Sequence, residues 1–238
     1  MEYMQITERQ KLILDKLVEE YISSAQPVSS QLLEGKYSFG FSPATIRSEM
    51  YKLTEAGYLS QPHTSAGRVP SDKGYRFYVN NLLQERKIKE RPSVKELSEK
   101  ESLLAEDEIK LLQSITRDLA DSSSALAFTF NDNVFWKDGW SRVFKEPEFK
   151  EADLLEAFTS FLEDFEKDIQ DFELGPDLKV FIGKENPFNK VKDFSIIISR
   201  CDFPKKEKGY LGIVGPKRMA YEKSIDSINN LKEILKSL

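Results

Sequence analysis

Between Ser42 and Arg68 the chain carries a helix marked at both ends, followed at once by two short extended runs around a glycine-containing turn. Ser42 is a good N-cap residue, and Pro43 sits at the first helical position, where no N–H is needed. Ile46, Met50 and Leu53 then share one face, and Gly57 suits the left-handed position just past the helix end. Upstream, Thr7 and Gln10 read as a capping box. It opens a helix on which Ile13, Leu14, Leu17, Val18, Tyr21 and Ile22 form one apolar stripe. A second, shorter helix is expected from Ser29 to about Tyr37, with Leu32 and Leu33 facing inward, and Gly40 marks the turn that follows. Three short helices with tight turns, the last polar on its open side, make a helix-turn-helix unit.

The runs over 58–62 and 68–70 read as strands around the turn Thr64-Ser65-Ala66-Gly67, so a β-hairpin, or wing, follows the third helix. Asp72 is expected to cap a further helix carrying Tyr75, Tyr78, Val79 and Leu82 inward. The charged stretch 85–102 contains Pro92 and reads as a linker. It divides a winged-helix domain over 1–84 from a second domain over 103–238. In the second domain the pattern predicts helices over about 103–120, 150–171 and 224–238. Strands are expected at 125–130, 179–182, 194–199 and 210–214, and a hairpin over 134–144 turning at Asp138-Gly139. The fold class expected is α+β.

Composition narrows the chemistry. One cysteine and one histidine in 238 residues allow no internal disulfide and no Cys/His zinc cluster, and a histidine-based triad would have only His63. No run approaches the apolar length of a membrane span and the N-terminal stretch is no signal peptide, so a soluble, cytoplasmic protein without membrane contact is expected. The net charge of −5 is unevenly spread: over residues 36–91 ten Lys/Arg stand against five Asp/Glu, whereas the rest is acidic. A phosphate backbone responds to the local field within about 10 Å, so the mean charge is a poor guide.

The open face of the third helix holds Ala44, Thr45, Arg47, Ser48, Tyr51 and Lys52, small near its Ser42 start and longer further on. A helix about 10–12 Å across enters a major groove roughly 12 Å wide only if its leading residues allow close approach. Arg47 could pair bidentately with a guanine edge, while Thr45, Ser48 and Lys52 suit phosphates or base edges. The helix start adds backbone N–H groups for a phosphate. A polar helix face taken alone is usually just solvated, and it is the adjacent hairpin, with His63, Thr64, Ser65 and Arg68 around its turn, that favours DNA. Arg68 is placed to enter a minor groove or touch phosphate. Together the two pieces are expected to form one convex, cationic surface. His63 has no partner for metal binding or catalysis, so no catalytic, metal or cofactor site is expected.

Ser42-Pro43-Ala44-Thr45-Ile46-Arg47, Gly57-Tyr58-Leu59, the long run PHTSAGRVPSDKGYR and the following Tyr78-Val79 resemble the HrcA family of heat-inducible transcription repressors. The stretch Gly212-Ile213-Val214-Gly215-Pro216-Lys217-Arg218-Met219 with Tyr221 is similar to that family's closing signature. Ile182-Gly183-Lys184-Glu185-Asn186 and Pro147-Glu148-Phe149 also fit. The resemblance implies a bacterial homodimeric repressor whose winged helix binds an inverted-repeat (CIRCE-like) operator upstream of chaperone genes. It also implies a reduced GAF-like second domain and modulation by a GroEL/GroES-type chaperonin. Two departures stand out. Ser48-Glu49 replaces the usual Asn-Asp, which predicts an altered operator preference. The chain is also roughly a hundred residues shorter than usual, and the missing material, including the inserted dimerisation segment, is expected between Phe130 and Val134.

Other signals favour packing. Trp136 and Trp140 could stack a ligand but more often serve a core or an interface. The glycines from Gly209 to Gly215 lack the residues of a phosphate loop. The acidic helix over 150–171 buries Phe158, Phe161, Leu162 and Phe165, and Cys201 has no thiol or basic partner to make it reactive. Two alternatives to a chaperone-gene repressor remain at this level: a regulator answering to a small effector in the GAF-like domain, and an interaction adaptor that keeps the winged fold without reading DNA.

Overall fold

The computed structural model describes residues 6–88, 108–123, 125–131, 134–175, 177–188, 192–203 and 208–237. The chain divides into two compact units, Met1–Ile88 and Lys89–Leu238. The linker expected over 85–102 lies, beyond Ile88, outside the described residues. Among those that are described, no helix is long and apolar enough to cross a membrane.

In the first unit, α1 (Glu8–Ser24), α2 (Ser30–Lys36) and α3 (Pro43–Glu55) precede two short antiparallel strands, β1 (Leu59–Ser60) and β2 (Val69–Pro70), and α4 (Asp72–Ile88). The capping box forms as the sequence indicates: the Gln10 N–H donates to Thr7 Oγ1 at 3.2 Å and the Thr7 N–H to Gln10 Oε1 at 2.9 Å. Ser29 and Ser42 cap α2 and α3, and Gly57 takes φ +76° just past α3. Ile13, Leu14, Leu17, Val18, Leu33, Ile46, Leu53 and Val79 are fully buried and make the core of this unit.

Three local expectations change. Leu32 is 43% exposed, because the seven-residue α2 turns only the face bearing Leu33 inward. Leu82 is half-buried. The start of α4 is capped by Ser71 and not Asp72: the Ser71 hydroxyl accepts the Gly74 N–H at 3.1 Å and donates to the Gly57 carbonyl at 2.6 Å. Lys73 then closes the end of α3, its Nζ donating to the Ala56 carbonyl at 2.8 Å.

The second unit is built on a five-stranded antiparallel sheet in the order β4-β3-β7-β6-β5, from β3 (Leu126–Asn131), β4 (Val134–Asp138), β5 (Lys179–Ile182), β6 (Phe194–Asp202) and β7 (Lys208–Pro216). Strand alternation sends Leu126, Phe128, Phe130, Phe194, Ile196, Ile198 and Val214 to one face. There they meet Phe158, Phe161, Leu162 and Phe165 of α7 (Ala152–Asp168). The opposite face carries α5 (Glu108–Ser123) and α8 (Tyr221–Ser237). Polar contacts fix that layer, Thr116 with Thr129 at 2.7 Å and Ser195 with Tyr221 at 2.9 Å. The chain is thus α+β.

Asp138-Gly139 is not a hairpin turn. Gly139 takes φ +105° and leads into the short helix α6 (Trp140–Val143), while β4 pairs back onto β3 with Asn131 opposite Val134. β3 ends at Asn131 and β4 begins at Val134, the stretch in which the sequence places its missing segment; positions 132 and 133 lie outside the described residues.

Candidate nucleic-acid interface

The residues singled out on α3 lie on its open side. Ser42, Ala44, Arg47, Ser48, Tyr51 and Lys52 are exposed, Tyr51 at 57%, and Thr45 is half-buried. Ser42 is committed to capping, its Oγ accepting the Thr45 N–H at 3.2 Å and lying 3.0 Å from Thr45 Oγ1. Arg47 and Tyr51, one helical turn apart, stand on the same strip of surface. Glu49, by contrast, is buried against α1, where Gln10 Nε2 donates to its Oε2 at 3.0 Å. Of the Ser48-Glu49 pair only Ser48 can meet a ligand, so a changed operator preference would come through Ser48.

The hairpin loop is held by a residue to which the sequence assigns no role of its own. Gln61 Nε2 donates to the carbonyls of Thr64 at 2.9 Å and Ala66 at 3.0 Å, and the Ala66 N–H donates to the His63 carbonyl at 2.9 Å. His63, Thr64 and Ser65 are thereby presented to solvent on an ordered tip. A glutamine three residues before the turn carries no distinctive sequence signal, which is why its role appears only in three dimensions.

Arg68 stands at the base of the hairpin and not among the tip residues. Its backbone exchanges hydrogen bonds with Val28 at 2.8 and 2.9 Å, and its Nε donates to Thr54 Oγ1 of α3 at 3.0 Å. Gly67 makes this approach possible, since a Cβ there would lie 2.4 Å from the Val28 carbonyl oxygen. The side chain is half-buried, and it lines a cleft of about 560 Å3 together with Arg47, Met50 and Tyr51 of α3, Gln61 and Thr64–Gly67 of the hairpin, and Ser29–Gln31. Between α3 and the hairpin, where the sequence suggested one convex surface, there is a cleft, and Arg68 ties the hairpin base to α3 beside it. The two pieces do face the same way.

The motifs of the second unit that carry the family resemblance resolve into structural contacts. Arg218 of the Gly-Pro-Lys-Arg-Met run is nearly buried and forks onto Glu148 of Pro-Glu-Phe, Nε at 2.7 Å and Nη2 at 3.0 Å, with Glu146 as a further partner. Burial alone would make its proton easier to lose, and the two carboxylates outweigh that, so the guanidinium is held charged more firmly than usual. Glu185 accepts the Ile182 N–H at 3.1 Å and Asn186 the Phe188 N–H at 3.0 Å. Trp140 packs edge-on to Phe158, while Trp136 alternates to the other side of β4 from Phe135, so they form no common platform. Cys201 is buried, which pushes its thiol pKa up and leaves it unreactive. Among the described residues no group of His, Cys, Asp and Glu could hold a metal ion.

Comparison with known proteins completes the picture. The family model described as "HrcA protein C terminal domain" matches residues 73–225. The heat-inducible transcription repressor HrcA of Brevibacillus brevis is 28% identical over 328 aligned positions covering 96% of each chain. Since the present chain has 238 residues, the relative carries about a hundred that it lacks. The repressor of the same name from Acetivibrio thermocellus is 54% identical over 85 residues, 36% of this chain and 24% of that one. A crystal structure titled only as a hypothetical protein superposes with a TM-score of 0.73 over 98% of this chain and 99% of its own, at 20% identity, which shows a shared fold. With its family's domain matched over more than half its length and relatives aligned almost end to end, the chain belongs to the HrcA family.

Proposed function

We propose that the chain is a heat-inducible transcription repressor that binds an inverted-repeat operator as a homodimer, working in the cytoplasm on chaperone genes. Its first unit is read as a winged helix-turn-helix domain over 1–84, joined by the 85–102 linker to a GAF-like domain over 103–238. The observation that carries this reading is that the open face of α3 and the hairpin 61–68 are walls of one cleft, pinned together by Arg68 on Thr54. Arg47, Ser48 and Tyr51 would read bases in the major groove. Thr45 and Lys52 would sit near the backbone, with Ser42 and Ala44 admitting it closely. His63, Thr64 and Ser65 would meet the flanking strand, and Arg68 the phosphate between the two elements.

The antiparallel sheet between helical layers supports the GAF-like reading of the second unit. In a repressor that unit would hold two winged helices at the half-site spacing, near a whole helical turn. Loss of its packing on heating, or want of a GroEL/GroES-type chaperonin, would release the DNA. The test is equilibrium binding to an inverted-repeat duplex and a scrambled duplex at two salt concentrations, with the mass of the complex from light scattering. A complex of two chains per duplex that prefers the repeat is expected; equal affinity for both duplexes would sink the repressor reading and leave an adaptor.

A second reading, a regulator answering to a small effector, has one observation in its favour. A polar cleft of about 440 Å3 opens beside Glu173, Arg200, Lys208 and Tyr210. The face of the sheet under α7, by contrast, is packed with buried phenylalanine rings. A thermal shift with small anionic metabolites, absent with the R200Q variant, would favour this reading.

A further inference from the structure

Arg9 lies outside every motif discussed so far, in the first turn of α1, yet the fold brings it beside the open face of α3. Its guanidinium lies 4.8 Å from the centre of the Phe41 ring, and its Nη1 is 3.6 Å from Glu49 Oε1. Lys52 Nζ lies 3.2 Å from the same oxygen. Both cations therefore stand within about 7 Å of each other, on one carboxylate that is itself buried and held by Gln10. The Arg9 and Lys52 side chains remain 46% and 55% exposed. Two cations share one anion, so the cluster keeps a net positive charge on the surface.

From this geometry we infer that Arg9 and Lys52 form a phosphate contact on the α1 flank of α3, across that helix from the cleft that takes the hairpin side, with Glu49 as the residue that positions them. The inference rests on the DNA-binding reading above and extends its footprint to a helix not otherwise implicated. An exposed pair with one carboxylate contributes little to stability. A phosphate can take over one of the two cations at little cost, because Glu49 retains the other. Stacking on Phe41 keeps the Arg9 guanidinium from folding away, which lowers the ordering cost of binding. A phosphate contact carries no sequence information, so the signature is a uniform loss with a changed salt response.

The test uses the full chain and the same two duplexes. R9Q should weaken binding to operator and scrambled duplex by the same factor. Its loss of affinity between 50 and 200 mM salt should be about three- to four-fold smaller than the parent's, as expected when one phosphate contact is removed. R9K, which keeps the charge but loses the planar stacking on Phe41, should bind more weakly than the parent yet retain its salt slope, and it guards against a folding defect in R9Q. A scan of single neutral methylphosphonate substitutions should find one or two phosphates whose neutralisation weakens the parent but not R9Q. Specific binding by the parent with an unchanged salt slope in R9Q, or a loss confined to the operator, would overturn the assignment while leaving the repressor reading intact. A parent that shows no preference for the operator would overturn the repressor reading itself.

Discussion

Arg68 Nε donates a 3.0 Å hydrogen bond to Oγ1 of Thr54, whose hydroxyl in turn donates to the Met50 carbonyl at 2.8 Å. The hairpin base is thereby joined to the last turn of α3. One side chain thus sets the width of the cleft between the two elements proposed to hold DNA. Thr54→Val keeps the shape and removes the acceptor, leaving a half-buried guanidinium short of a partner. The expected cost is about 1–2 kcal/mol, at the low end for a hydrogen bond to a charged group because the guanidinium is only half-buried. Denaturant unfolding of the full chain should show that cost, together with a several-fold loss of operator affinity. An unchanged affinity would mean that the hairpin needs no tether.

Arg47 stands free on the open face, one turn before Tyr51. If it forks onto a guanine, Arg47→Ala should weaken the preferred operator by about 1–3 kcal/mol and relax the preference at a single base pair. Binding to duplexes varied at each position of one half-site measures this. Equal losses on operator and random duplex would reduce Arg47 to a phosphate contact.

How much of this interface can be read from sequence follows from the range of the interactions involved. Ser42, Pro43 and Gly57 act on their own helix, so spacing alone identifies α3 and its open face. Gln61 and the Thr54–Arg68 pair act between elements, and nothing in their local pattern marks them. Arg9 and Glu49 are separated by α2, and their meeting depends on how α1 crosses α3. In the second unit Asp138-Gly139 has the composition of a hairpin turn, but Gly139 leads instead into α6, and the strand pairing that decides this is again non-local. The family signature at Arg218 is legible as a motif, whereas its reason, the fork onto Glu148, lies 70 residues away.

Gly67 is required by contact and not by backbone conformation. An added Cβ would meet the Val28 carbonyl oxygen at 2.4 Å and the Pro27 carbonyl carbon at 2.8 Å, both backbone atoms that cannot step aside. Gly67→Ala should therefore lift the hairpin base from the loop before α2, at a cost of about 2–3 kcal/mol typical of overpacking a tight site. Thermal unfolding measures the loss, and protection of the Val28 and Arg68 amides against hydrogen exchange locates it. Full protection of both amides would refute the steric account.

Arg218→Met tests whether the closing signature is structural. The substitution leaves Glu148 and Glu146 facing each other without a cation. Removing one partner of a well-buried ion pair is strongly destabilising, and because both glutamates keep some exposure about 2 kcal/mol is expected here. Pairing it with Glu148→Leu in a double-mutant cycle should recover part of the loss. If Arg218 instead contacted a partner, stability would hold and only binding would fall.

Asp15 gives the chain a pH dependence whose sign can be stated. Burial between α1 and α4 pushes its carboxyl up from 3.8 to about 6, against the opposing effects of a hydrogen bond from Asn81 and the charge of Lys11, while Glu19 and Glu85 raise it further. The fold favours the protonated form. Its contribution to stability is complete below about pH 4 and is lost as the pH rises through 6, above which an ionised carboxylate sits half-buried among acids. Asp15→Asn removes the charge and can keep the contact with Asn81. It should leave stability unchanged at pH 4 and raise it by about 1 kcal/mol at pH 7–8, a figure reduced for the solvent that still reaches the side chain. Melting temperatures of both proteins from pH 4 to 8 provide the check: curves that separate between pH 4 and 6 and then run parallel agree with this account. A constant offset would assign the effect to packing and not to the charge.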